Sequence, residues 1–130
     1  MKRLTIIIFV AFLTACGGGS SGGGGQGLIG FWAGTTSSSV VNFTSPMSLN
    51  ITNDDGVNIS GAMQVNNSPC FRNATFAGSR TGGANLNAGT TNGNNVLSAT
   101  LVQNGNTLSG NYVVQSGACA GDRGVMSVSR

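Results

Sequence analysis

The sequence predicts an all-β domain, a small antiparallel up-and-down barrel of eight strands with an internal two-fold repeat, and three observations lead there. The first is duplication. Residues 104–119, NGNTLSGNYVVQSGAC, repeat residues 55–70, DGVNISGAMQVNNSPC. Aligned without a gap, Gly56 meets Gly105, Ile59 meets Leu108, Ser60 meets Ser109, Gly61 meets Gly110, Met63 meets Tyr112, Val65 meets Val114 and Cys70 meets Cys119. The second is periodicity: apolar residues recur at every second position, as on strands with one buried face, and no segment beyond the N-terminal stretch shows a 3.6-residue apolar period. The third is punctuation by turn residues, at Asn53-Asp54-Asp55-Gly56, Asn92-Gly93 and Asn104-Gly105. Two equivalent halves of about four short strands favour a sheet closed on itself, because closure leaves no unpaired edge. The interior of an eight-stranded barrel is narrow enough for side chains alone to fill. A β-sandwich is the alternative; a solenoid is disfavoured, since its repeat is usually shorter and occurs at least three times.

The elements follow in order. Residues 28–32, Leu-Ile-Gly-Phe-Trp, are apolar and aromatic and open the first strand, with Trp32, the one tryptophan, filling the core. Residues 35–46 are polar apart from Val40, Val41 and Phe43, and read as a loop with a short strand around Val40. Met47, Leu49 and Ile51 alternate with Ser48, Asn50 and Thr52; after the turn at Gly56, Val57, Ile59, Met63 and Val65 continue the alternation, so the two runs form a hairpin. Gly61 takes an inward slot, where absent bulk allows a sharp coil or close packing. Residues 66–70 are a loop ending in Cys70, residues 71–78 a strand with Ala74 and Phe76 inward, and a weaker strand centres on Leu86. The second hairpin sets Leu97, Ala99 and Leu101 against Leu108, Tyr112 and Val114, with Gly110 in the place of Gly61. Residues 117–124 form the second cysteine loop, and Met126 and Val128 lie on the last strand.

The first 27 residues carry different information. Lys2 and Arg3 precede an apolar run over residues 4–13 broken only by Thr5, followed by Leu13-Thr14-Ala15-Cys16. That order is a secretory signal, and a run of about ten residues is well short of the ~20 a spanning helix needs. Residues 17–27 are almost wholly glycine and serine, a composition that cannot bury a core and reads as a flexible tether. The expected organisation is a signal peptide over 1–15, Cys16 and tether over 16–27, and the barrel over 28–130, with repeat halves of about 28–80 and 81–130.

Charge narrows the partners. The chain has six basic and three acidic residues, but Lys2 and Arg3 leave with the signal. Arg72, Arg80, Arg123 and Arg130 then face Asp54, Asp55 and Asp122, a nearly neutral balance that argues against nucleic acid. There is no histidine and no glutamate, so neither a nucleophile with a base nor a pair of acids is evident, and no enzyme activity and no cofactor are expected. Asn53-Asp54-Asp55-Gly56 holds a fragment of a calcium loop, but the further oxygen ligands and distal glutamate are missing, and turn geometry alone accounts for it. Three cysteines in an exported chain leave one over, and Cys70 and Cys119, at matching places in the repeat and in a compartment where disulfides persist, are the expected pair. A bridge closing a loop of that length stabilises by about 4 kcal/mol on the chain-entropy model. Zinc is a poor rival without histidine or a third thiolate in the folded part.

Leu13-Thr14-Ala15-Cys16 resembles the bacterial lipobox. The resemblance implies diacylglycerol on the Cys16 thiol, cleavage just before it and acylation of the new N-terminus. Neither residue after Cys16 is aspartate, which among enterobacterial lipoproteins implies transfer to the outer membrane. Gly30-Phe31-Trp32 resembles the Gly-x-Trp that starts the first strand of lipocalins, and Leu108-Ser109-Gly110-Asn111-Tyr112 resembles the Leu-x-Gly-x-Tyr strands of avidins. Lipobox, glycine tether and disulfide-bonded β-domain together are similar to small bacterial lipoproteins that include barrel-shaped inhibitors of lysozyme.

The expected function is therefore a monomeric, lipid-anchored envelope protein with a non-catalytic binding or inhibitor-like domain. A carrier of a small apolar ligand inside the barrel, or a purely structural component, is the alternative. The binding surface is placed on the rim beside the two cysteines, at Phe71, Arg72, Asp122 and Arg123, because loops on a rigid scaffold gather binding residues. The triplets at Asn42, Asn50, Asn58 and Asn73 match the glycosylation pattern and read as outward polar strand faces. Such ladders also hydrogen-bond sugars, so the partner is an envelope protein or a glycan.

Overall fold

Alternation at period two sets the architecture. A computed structural model describes residues 27–68, 73–80, 83–90 and 96–130. Eight strands follow one another: β1 (Gly30–Ser38), β2 (Thr44–Asp54), β3 (Asn58–Val65), β4 (Asn73–Ser79), β5 (Ala84–Thr90), β6 (Val96–Asn104), β7 (Thr107–Ser116) and β8 (Arg123–Ser129). Each pairs antiparallel with the next, and β8 pairs with β1, so the sheet closes into a barrel. One end carries the lead-in to β1, the β2–β3, β4–β5 and β6–β7 connections and Arg130; we call it the tether end. The other carries the β1–β2, β3–β4, β5–β6 and β7–β8 connections and is the cysteine-loop end.

Inward positions are those the alternation assigns: Met47, Leu49 and Ile51; Ile59, Met63 and Val65; Ala74 and Phe76; Leu86; Leu97, Ala99 and Leu101; Leu108, Tyr112 and Val114; Met126 and Val128. None is more than 4% exposed. A chamber able to admit water would leave accessible area on its walls, so along these side chains the barrel is solid. Trp32 is fully buried, donates from Nε1 to the Leu28 carbonyl at 2.9 Å, and lies under the Arg130 guanidinium at 4.4 Å.

The repeat appears in the register. Ile51 pairs with Gly61 and Leu101 with Gly110; Gly61 pairs in turn with Phe76 and Gly110 with Met126. A Cβ on Gly61 would stand 2.0 Å from the Asn50 carbonyl oxygen and 2.9 Å from the Phe76 ring, and one on Gly110 would stand 1.9 Å from the Thr100 carbonyl oxygen. Equivalence fails at the seam. Phe76 faces Ala88, whereas its counterpart Met126 faces Thr36 and leaves Gly34 to Val128. The slide of two residues carries β1–β8 pairing on to Ser38 and Gly124 at the cysteine-loop end, and leaves Gly30 to Trp32 without β8 partners. Arg130 covers that gap, bonding the Ile29 carbonyl through Nη1 at 3.2 Å.

Three details differ from expectation. Residues 35–46 are not a loop: 35–38 complete β1, 44–46 open β2, and Val40 and Val41 lie exposed in the connection. The inward row of β1 turns from Trp32 and Gly34 to the hydroxyls of Thr36 and Ser38, so its period carries no apolar signal. The first strand begins at Gly30; Leu28 is buried ahead of it, its amide 2.7 Å from the Asp54 carboxylate. Val57 is not inward but 67% exposed. Asp55 Oδ1 accepts from the Val57 and Asn58 amides, which makes 55–57 the turn and puts Val57 at its tip. The turn at Asn92-Gly93 lies outside the described residues.

Asp54 organises the tether end. Its carboxylate accepts from the Leu28 and Gly56 amides and pairs with Arg80 at 3.2 Å. Burial pushes this carboxyl up, but the Leu28 and Gly56 amides and the Arg80 guanidinium together outweigh it and hold the group below its ordinary value of 3.8. A carboxyl depressed on folding adds stability above its unfolded value and loses it as pH falls through the folded one. Asp54→Asn is expected to lower the urea midpoint at neutral pH and to flatten its decline below about pH 4, measured by tryptophan fluorescence across an acid series. Gly61→Ala and Gly110→Ala should each destabilise by about 2–3 kcal/mol, because backbone rather than a movable side chain blocks the new methyl. Gly56→Ala, opposed by its positive φ of 88° but by no neighbour within 4 Å, should cost about 1 kcal/mol on the same denaturation assay.

Candidate functional site

The cysteine-loop end is built from a buried polar plug and an open outer wall. Asp122 belongs to the plug. It is 5% exposed and points in, where Oδ1 accepts from the Ser38 hydroxyl at 2.5 Å and Oδ2 from the Tyr112 hydroxyl at 3.0 Å. Its backbone is held as firmly: its amide donates to the Cys119 carbonyl at 3.0 Å and its carbonyl accepts from the Val114 amide at 2.7 Å. Ser38 Oγ accepts in turn from the amides of Val40 and Val41 at 3.2 and 3.1 Å. One carboxylate thus joins the β1–β2 and β7–β8 connections across the mouth. A buried carboxylate costs several kcal/mol unless hydrogen-bonded, and here the donors are two hydroxyls with no imidazole beside them. Such a group fixes loops.

The outer wall differs. Gly124, in β8 between β7 and β1, has no room for a Cβ: one would stand 1.8 Å from the Ser37 carbonyl oxygen and 2.9 Å from Tyr112 Cε1. Its bare backbone floors a hollow of about 400 Å³ with Val113 and Val125 as apolar walls and Ser37, Ser39, Asn111 and Arg123 at its margin. A second hollow of about 320 Å³ lies between Val40 and Val41 on one loop and Cys119, Ala120 and Gly121 on the other. Val40, Val41, Val113 and Val125 are all exposed. Together they offer apolar surface bordered by hydroxyls and a guanidinium.

Of the predicted rim, then, Arg123 is on the surface and its carbonyl ties the β1–β2 connection, accepting from the Ser39 amide and hydroxyl at 2.9 Å each. Asp122 is at the predicted end but unavailable to a partner, because the barrel's own hydroxyls consume it. Cys119 packs against the core and is disulfide-bonded. Cys70, the partner the repeat assigns to it, lies outside the described residues, as do Phe71 and Arg72. The β3–β4 connection that carries all three departs from this same end. Cys16 is likewise outside. Asp54 and Asp55, the calcium-loop fragment, spend their oxygens on Leu28, Gly56, Val57, Asn58 and Arg80. Among the described residues no three of His, Cys, Asp or Glu stand together.

Ser38, Tyr112 and the two wall valines were missed. A signal for the plug existed: a buried tyrosine hydroxyl needs a partner, and Asp122 is the one acid across the β7–β8 hairpin. Nothing comparable marked Val113 or Val125, since an outward valine on a strand reads as unremarkable surface.

Burial first, and the Asp122 carboxylate next, push the Tyr112 hydroxyl up to about 12. A raised value adds stability that is complete below the unfolded value of 10.0 and disappears as pH rises towards the folded one. Tyr112 is the one tyrosine in the chain, so ultraviolet difference absorbance reads it alone. The expected midpoint in the folded protein is near the raised value, and Asp122→Asn should bring it back towards the ordinary tyrosine value of about 10.

No protein-family model, curated protein or solved structure matches this chain, so the reading of the site rests on its own geometry.

Proposed function

We propose that this is an exported lipoprotein, anchored in the envelope by acylated Cys16, whose barrel is a non-catalytic binding module working from its outer surface at the cysteine-loop end. One contrast carries the reading: inward apolar side chains are 0–4% exposed, while four valines at that end lie open, two of them around one hollow with Arg123. A solid interior disfavours a carrier of small apolar ligands, which needs a chamber. The partner that suits the wall is an envelope protein. Apolar hollows of this size accept single side chains, and the surrounding hydroxyls, Asn111 and Arg123 supply the polar rim such contacts have. A bridge between Cys119 and Cys70 would fix the loops around the contact and reduce the ordering cost of binding.

Two measurements test it. Cys16→Ser is expected to abolish palmitate labelling and to move the protein from the membrane to the soluble fraction. Val125→Asp combined with Arg123→Ala, both on exposed side chains, should cut recovery of an envelope partner at least about tenfold in a pull-down while leaving the thermal midpoint near that of the parent. Unchanged recovery would leave only a structural role.

A further inference from the structure

We propose that the tether end of the barrel rests on the bilayer that holds Cys16, with Ile29, Phe31, Val57 and Val102 in its interfacial layer; the inference rests on lipid attachment at Cys16. These side chains are 57%, 62%, 67% and 57% exposed. They come from separate stretches of chain, the lead-in and first residues of β1, the β2–β3 turn and the last part of β6, and so surround one end without lining a groove. An apolar ring about the end of a barrel fits a plane of lipid better than it fits a protruding partner. The wall hollows of the opposite end offer the concave shape that this one lacks.

Where the chain enters decides which plane. Leu28 is fixed at this end by its bond to Asp54, and Cys16 stands only twelve positions before it. That stretch can reach at most about 40 Å fully extended, and a Gly/Ser chain of its length spans about 20 Å on average. Strands of seven to eleven residues make a barrel wall about 25 Å or more along each strand. To bring the cysteine-loop end down to the bilayer the tether would have to run back along that wall, whereas the tether end is delivered to the surface by short reach alone. The anchor also makes the contact intramolecular, so a few apolar side chains suffice where a free protein would need many. Asp55, kept ionised by the amides of Asn58 and Val57, sits beside Val57 and limits the contact to headgroup depth. Phe31 is the largest of the four and reaches from the outer wall next to buried Trp32.

The test uses the lipidated protein reconstituted into vesicles of phosphatidylethanolamine and phosphatidylglycerol, with plain or brominated acyl chains. Phe31→Trp reports from the tether end and Val40→Trp from the opposite one; Trp32, buried in both, contributes an equal background. Brominated chains should lower the emission of the introduced indole about twofold in Phe31→Trp, with a shift to the blue, and leave that of Val40→Trp unchanged. Equal quenching of the two, or none in Phe31→Trp while mass analysis finds Cys16 acylated, overturns the docking and leaves the anchor standing. An unmodified Cys16 overturns the anchor and the docking together.

Discussion

The closeness with which neighbouring strands approach at the inner wall governs everything else in this barrel. At Gly34, Gly61, Gly78, Gly110 and Gly124 a methyl group would fall within 2.0 Å of a carbonyl oxygen in the adjacent strand. Any side chain there would have to push backbone aside, and in a closed sheet each strand is held by two neighbours, so the displacement has nowhere to dissipate. These positions bind the registers to one another. They also explain how a domain of about a hundred residues, which has little core to spend, reaches a solid interior: strands coil tightly enough for Leu, Ile, Met and single aromatics to meet across the axis.

Tight closure leaves the two ends unequal although the halves are copies. The two-residue slide between β1 and β8 lengthens pairing at the cysteine-loop end and shortens it at the other. At the long end the inward row of β1 is already polar, and Asp122 satisfies Ser38 and Tyr112 together. At the short end Arg130 stands in for missing ladder bonds and covers Trp32. Both caps are polar groups used as structure, the buried kind that costs stability when half satisfied and specifies one arrangement when complete. The charges that looked available for chemistry in the linear chain are in large part already engaged here.

How much of this the linear chain reveals depends on whether a position's neighbours are local. Period-two runs with apolar residues gave the hairpins at Met47 to Val65 and Leu97 to Val114, the inward pair Ala74 and Phe76, and the weak strand around Leu86. Duplication with an even strand count gave closure. Residues 35–46 were misread because the end of β1, with Thr36 and Ser38 inward, and the start of β2, with Ser45 inward, have the same polarity on both faces, and the Asp122 that Ser38 bonds is 84 positions away. Val57 was misread for the converse reason: it continues an alternation that the Asp55 turn interrupts, and turn geometry overrides pattern. The candidate wall was invisible because its outward residues come from three strands, β1, β7 and β8, that meet only on closure.

A filled interior moves any function to the outside, and the outside of this domain is unusual in its poverty of charge. Residues 28–130 hold four arginines and three aspartates, of which Arg80 and Asp54 neutralise each other and Asp122 is buried. Long-range steering needs separated fields, which such a surface does not have. Recognition at either end must therefore come from short-range apolar contact and hydrogen bonds, whose strength changes little with salt. That suits the lipid-anchored module proposed above, in which proximity would replace electrostatic attraction in raising the encounter rate. The sparse charge, the exposed wall valines and the solid core thus act in one direction, leaving short-range contact on the outer surface as the means of recognition this domain offers.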